Sequence, residues 1–169
     1  VTEQVTGYEK RSTRGGNLLG MVPLDLPPSV FETEGLWFDV PDAARRKAEA
    51  EYLHFMGGIH ALEHAAIGIL PLMVMTDRND LGGISTPLHP QTGGAAVFIY
   101  DGMPGGAGLT REAFAKAEEL LERTLAVVRR TTQGKVRWAR IILPVPPEAV
   151  AACAVVVDAA WRFVNPGRC

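Results

Sequence analysis

Residues 57–75, GGIHALEHAAIGILPLMVM, lead through TDRNDLGG at 76–83 to AAVFIYDGMPGGAGL at 95–109. Nearly every polar side chain set in apolar surroundings lies in this stretch. His60, Glu63 and His64 fall on one apparent helix, and Asp77, Asp80 and Asp101 fall at element ends. AAVFIYD is apolar on both faces, which predicts a strand buried on both sides. GMPGGAG must then be a loop, and a site is expected within this stretch.

Upstream, AARRKAEAEYLHFMGGIHALEHAAIGIL carries Ala48, Tyr52, Met56, Ile59, Ala66 and Leu70 at the spacing of one helical face. The pattern predicts a long helix from about 42 to 70, N-capped by Asp42 after Pro41. Gly57 and Gly58 should either break it or admit another backbone closely. Pro71 should kink or end it. Residues 1–40 read as a small antiparallel sheet with a turn at Gly15-Gly16-Asn17 and Phe31, Trp37 and Phe38 as apolar cargo, limited by Pro23, Pro27 and Pro28. TDRNDLGG and ISTPLHPQTGG read as turns.

Downstream, Thr110 is the expected cap of an amphipathic helix over 111–130, with Leu109 and Phe114 as a hydrophobic staple. Phe114, Ala117, Leu121, Leu125 and Val128 mark its expected buried stripe. Beyond Thr131 the pattern lapses, leaving a possible strand at VRWARIIL and a short apolar helix or strand around Ala149 to Val157. The fold class is α+β.

With 169 residues, 47% hydrophobic and 21% charged, the chain can bury one sizeable core. Residues 1–130 carry 12 Lys+Arg against 17 Asp+Glu, a net of −5, whereas residues 131–169 carry 5 against 2, a net of +3. An acidic body is a poor stand-alone nucleic-acid binder, because phosphate attraction supplies most non-specific affinity. Cys153 and Cys169 make neither a disulfide framework nor a four-ligand zinc site. A cytoplasmic compartment is the expectation, with no membrane partner, because His60, Glu63 and His64 interrupt the longest apolar run. No signal peptide is apparent, and a start on Val1 suggests a piece of a longer polypeptide.

His60-Ala-Leu-Glu63-His64 matches H-x-x-E-H, in which two histidines one helical turn apart bind zinc and the glutamate is a general base. A zinc-dependent hydrolase using His60, His64 and Glu63 is therefore one reading, with a third ligand sought among Glu118, Glu119 and Glu122. The blander reading is a set of histidines satisfied by hydrogen bonds. Asp77, Asp80 and Asp101 could bind a divalent metal or simply cap turns and end a strand. The glycine-rich turn suits an anion at a helix N-terminus, yet no Lys-Ser or Lys-Thr follows it, so it is not a Walker A loop.

Three segments in order, YEKRSTRGGNLLGMVPLDLPPSVFETEGLWFDVP, GGIHALEHAAIGILPLMVMTDRNDLGG and VFIYDGMPGGAGLTREAF, resemble the C-terminal zinc-binding domain of MrfA-type superfamily 2 DNA helicases. The resemblance covers about residues 5–130. It implies that residues 1–130 are an accessory domain of an ATP-dependent DNA helicase associated with DNA repair. The implied partners are upstream motor domains, which would hold ATP and magnesium, and DNA reached through the parent protein. It also implies zinc in intact members, held by four cysteines after the helix at 111–130. This chain reads TTQGKVRWARIILPVPPEAVAAC there, so no metal ligand carries over and no cofactor is expected in this chain.

Residues 131–169 therefore read as a divergent or frame-shifted tail, a hypothesis prompted by the lapse in resemblance and the charge reversal. Translation of the other two frames past codon 130 tests it, and failure to find a close cysteine cluster in either would sink it. His60, Glu63, His64, Asp77, Asp80, Tyr100, Asp101, Gly105 and Gly106 remain a polar cluster of structural or functional role. The two histidines and Glu63 are expected to hydrogen-bond to the YDGMPGG loop.

Overall fold

The computed structural model describes residues 1–132 and 151–157. Before the first helix come β1 (Thr2–Glu3), β2 (Gly7–Arg11), β3 (Leu18–Pro23), β4 (Ser29–Val30) and β5 (Gly35–Val40). β1 pairs with β4 and β2 with β3 as separate two-stranded antiparallel ribbons. The expected single N-terminal sheet is thus divided. The mostly exposed GYEKR strand has little to bury, whereas GLWFDV alternates and buries Leu36, Phe38 and Val40. Its apolar face sends β5 into the main sheet, with Trp37 left on the outer face.

The expected helix over 42–70 is two helices, α1 (Asp42–Ala50) and α2 (Phe55–Ile69). Pro41 occupies the N-cap position of α1, so Asp42 lies in the first turn, where a carboxylate complements the helix dipole. The break falls at residues 51–54 rather than at the glycines. Tyr52 there adopts a left-handed φ of 55°, and Nδ1 of His54 accepts from the Gly57 N–H at 3.0 Å to cap α2. Gly58 stays helical and serves the other role anticipated for it. A Cβ at Gly58 would lie 2.8 Å from the carbonyl carbon of Ala152.

α3 (Pro71–Val74) begins at Pro71 and ends at Met75, whose φ of 51° is left-handed. The helical stretch Phe55–Val74 has 20 residues and a mean hydropathy of 1.3, enough by length and composition to cross a membrane. Ile59, Ala61, Leu62, Ala65 and Ala66 are nevertheless fully buried within the domain, which makes it the core helix.

A 3₁₀ turn at Arg78–Asp80 leads into β6 (Leu81–Thr86), and β7 (Ala95–Asp101) follows. The sheet order is β5-β7-β6, all antiparallel, so the doubly apolar AAVFIYD is the central strand. β6 corrects the reading of this region as turns. Gly82 and Gly83 are strand residues whose missing side chains make room. A Cβ at Gly82 would meet the Tyr100 ring at 2.3 Å, and one at Gly83 would meet Ile67 at 2.6 Å and Glu63 at 2.8 Å. Gly83 thus allows α2 to lie directly on the sheet.

The expected helix over 111–130 is α4 (Leu109–Ala115) and α5 (Ala117–Thr132), divided at Lys116. Gly108, with φ of 81°, occupies the N-cap position, and Thr110 lies buried in the first turn. Phe114 is 71% exposed, so it neither staples to Leu109 nor joins the stripe. The buried face is Ala113, Leu120, Leu121, Thr124, Leu125 and Val128. Phe114→Ser is accordingly expected to change unfolding free energy by no more than about 0.5 kcal/mol in urea titration.

α2 lies between the sheet and α5. Leu36, Phe38, Leu70, Ile99, Leu120 and Leu121 pack in one cluster, and Ile59, Leu62, Val97, Leu125 and Val128 in a second. Helical residues 151–157 add Ala152, Cys153, Val156 and Val157 to that second cluster. The expected strand at VRWARIIL and residues 149–150 lie outside the described residues.

Candidate functional site

On α2, residues at i, i+3 and i+4 share a face, and that face brings His60, Glu63 and His64 against β6. Nε2 of His64 is 3.1 Å from Nε2 of His60, with the rings edge to face at a centroid distance of 4.5 Å. Nδ1 of His60 is 3.3 Å from Oε2 of Glu63 and 3.3 Å from Oγ of Ser85. Glu63 is buried, His60 is exposed and His64 is half-buried. Burial lowers the pKa of His64, the nearby His60 lowers it further, and the Glu63 carboxylate opposes both. The lowered pKa favours the neutral imidazole. Burial raises the Tyr100 hydroxyl to about 12, aided by its hydrogen bond to Glu3 at 3.0 Å.

Among the described residues, His60, Glu63 and His64 are the group whose possible metal-ligand atoms all lie within 4.8 Å of one another. Glu118, Glu119 and Glu122 do not join it, and Glu119 pairs with Arg123 at 2.6 Å. Nor do Asp77, Asp80 and Asp101 assemble a carboxylate site. Oδ1 of Asp77 accepts from the Asn79 N–H at 2.8 Å, while Oδ2 of Asp80 accepts from the Asp77 N–H at 3.0 Å and the Thr76 hydroxyl at 2.7 Å. The two form a reciprocal capping box around the 3₁₀ turn.

Asp101 organises the glycine-rich loop. Its carboxylate accepts from the N–H groups of Ala107 at 2.7 Å, Leu109 at 3.1 Å and Thr110 at 2.9 Å. The donors that an incoming anion would need at the start of α4 are thus already committed to a side chain. Gly105 and Gly106 have φ of 82° and 78° and carry the chain around this carboxylate.

The expected hydrogen bonds from the histidines to the YDGMPGG loop are replaced by those to Ser85 and between the rings themselves. Ser85 was missed because its segment reads as turns. Once β6 is recognised as a strand, the period of two places Leu81, Gly83 and Ser85 on the face toward α2. A groove lined by Glu34, Leu36, Trp37, Thr110, Arg111 and Phe114 was also not foreseen. Glu34 and Arg111 form an ion pair across it.

The MrfA Zn-binding domain family matches residues 62–153, more than half of the chain. An uncharacterized ATP-dependent helicase, YprA of Bacillus subtilis, is 31% identical over 105 residues, covering 62% of this chain and 14% of that protein. The ATP-dependent helicase HRQ1 of Saccharomyces cerevisiae is 26% identical over 109 residues, covering 59% of this chain and 10% of that protein. An uncharacterized protein of Methanocaldococcus jannaschii is 37% identical over 70 residues, covering 40% of this chain and 62% of its own length. The crystal structure of the DUF1998 helicase MrfA bound to DNA and AMPPNP matches at a TM-score of 0.48 and 25% identity. It covers 73% of this chain and 16% of that one.

Zinc, implied by such a match, is held by thiolates, imidazoles or carboxylates. Cys153 does not fit, because it is fully buried among apolar residues and burial pushes its thiol pKa strongly upward. Among the described residues it also joins no group of three or more metal-ligating side chains.

Proposed function

The chain belongs to the MrfA Zn-binding domain family, and we propose that it is an accessory domain of an ATP-dependent DNA helicase acting in DNA repair in the cytoplasm. The single observation that carries this is the family match over residues 62–153, and similarity to helicases of which the chain spans only 10–14% supports it. The unit's body is residues 1–130, and residues 131–169 are a divergent or frame-shifted tail whose helical residues 151–157 pack onto that body. Motor domains bind ATP and magnesium, and this domain braces them. DNA is engaged through the whole helicase, in keeping with the acidic body of this domain. The loop after β7 supports an accessory role, because Asp101 occupies the N–H groups that a phosphate would take.

The test is made in the full-length helicase that carries the domain. Deleting it is expected to reduce duplex unwinding severalfold while the motor still hydrolyses ATP. Unwinding at the full rate without it would overturn the reading. The hydrolase reading lacks its third metal ligand among the described residues, because Glu118, Glu119 and Glu122 do not join His60, Glu63 and His64.

A further inference from the structure

We propose that His60 and His64 form a binding site for a divalent transition-metal ion of the zinc type, with Glu63 as the carboxylate that positions His60. The proposal stands apart from the helicase role, and either can fail without the other. Two nitrogens bound about 2.0–2.1 Å from one tetrahedral ion lie about 3.3–3.4 Å apart. The Nε2 atoms of His60 and His64 are already 3.1 Å apart on adjacent turns of a packed helix. Little rearrangement separates the side chains as they stand from a two-imidazole chelate.

The second observation lies behind the ring. A metal-ligating histidine generally donates its other N–H to a carboxylate or similar acceptor, which fixes the tautomer and leaves the opposite nitrogen's lone pair for the ion. Nδ1 of His60 meets Oε2 of Glu63 at 3.3 Å, with Oγ of Ser85 at the same distance. Glu63 reaches this position only because Gly83 has no side chain, since a Cβ there would lie 2.8 Å from Cγ of Glu63. The buried carboxylate, the glycine and the strand serine thus orient one exposed imidazole.

Two imidazoles select zinc, nickel or copper over magnesium or calcium, which prefer oxygen. With two protein nitrogens, the remaining positions are open to water or to a ligand atom from outside the chain. Having only those two nitrogens, the site binds more weakly than a fully liganded structural zinc centre. The site uses neither cysteine.

The experiment titrates the chain with Zn²⁺ against a chromogenic chelator and records the absorption spectrum with Co²⁺. One ion per chain is expected, with a cobalt spectrum free of sulfur-to-metal charge transfer. His60→Ala and His64→Ala should each weaken binding at least tenfold. His60 is exposed, so its variant removes a ligand without opening the core. Glu63→Gln should weaken binding about ten- to a hundredfold, with helical circular dichroism unchanged, and Cys153→Ser should bind like the parent chain. The proposal is overturned by failure to bind stoichiometrically, by a thiolate-type cobalt spectrum, or by binding that survives loss of either histidine. Unchanged affinity in Glu63→Gln would overturn the positioning role.

Discussion

Replacing Asp101 with alanine is expected to destabilise the domain by about 3–5 kcal/mol, the largest loss from any single polar side chain described. The carboxylate is fully buried and accepts three backbone N–H groups from Ala107, Leu109 and Thr110. A hydrogen bond to a charged group is worth about 1.5–3 kcal/mol, and its loss leaves a donor unsatisfied. The three bonds also close the loop that joins the central strand to α4, so their loss frees glycines held at positive φ. Asn should fall between Asp and Ala, because one acceptor oxygen survives and the amide nitrogen faces a donor. Equilibrium unfolding in urea measures the series, and a loss below about 1 kcal/mol in the alanine variant would show that the loop is held by other contacts.

The same carboxylate gives the domain a defined response to acid. Burial pushes the pKa of Asp101 up, but hydrogen bonds from Thr110, Ala107 and Leu109 together outweigh it and leave the folded value lowered. A lowered folded value means that the unfolded chain takes up the proton first. The stabilisation is therefore complete above the unfolded carboxylate range and is lost as pH falls through about 4 toward the folded value. The stability difference between the parent chain and Asp101→Asn should be constant from pH 6 to 8 and shrink below about pH 4. A difference independent of pH down to 3 would contradict the lowered value.

What the sequence disclosed depended on whether the signal was periodic or local. AAVFIYD announced a doubly buried strand, and the spacing around Ile59 and Leu62 announced a core helix, because both patterns follow from apolar burial across many residues. The breaks at 51–54 and at Lys116 were hidden. Tyr52 in a left-handed conformation, the His54 cap and the glycine at position 108 are single-residue decisions that leave periodicity intact. β6 was hidden for the opposite reason. Its two glycines carry a strong turn signal, yet here they make room for Tyr100, Ile67 and Glu63, partners that only the tertiary arrangement reveals. The grouping of His60 with His64 was legible as a helical turn. The partner of His60 was not, because Ser85 belongs to the strand that the glycines concealed.

Gly58→Val is expected to cost about 2–3 kcal/mol, although a glycine in a helix interior is ordinarily replaced at a gain of up to about 1 kcal/mol by alanine. The reversal of sign comes from what lies opposite. A Cβ at position 58 would stand 2.8 Å from the carbonyl carbon and Cβ of Ala152 and 3.0 Å from its oxygen. These atoms are backbone or fixed to it, so no rotamer change relieves the clash, and overpacking of this kind typically costs about 1–3 kcal/mol. The β-branched side chain adds lost helix propensity. The least costly relief is to lift residues 151–157 off α2, which would expose Ala152, Cys153, Val156 and Val157. Thiol labelling reports that event directly in a Cys169→Ser background, where Cys153 is the remaining cysteine. The thiol should be protected with glycine at 58 and reactive with valine there. If reactivity rises while the circular dichroism of the rest persists, the core of residues 1–132 stands without its covering segment, and Gly58 is the hinge of that docking. Equal protection in the two chains, or greater stability with valine, would show that this close approach is not what holds residues 151–157 in place.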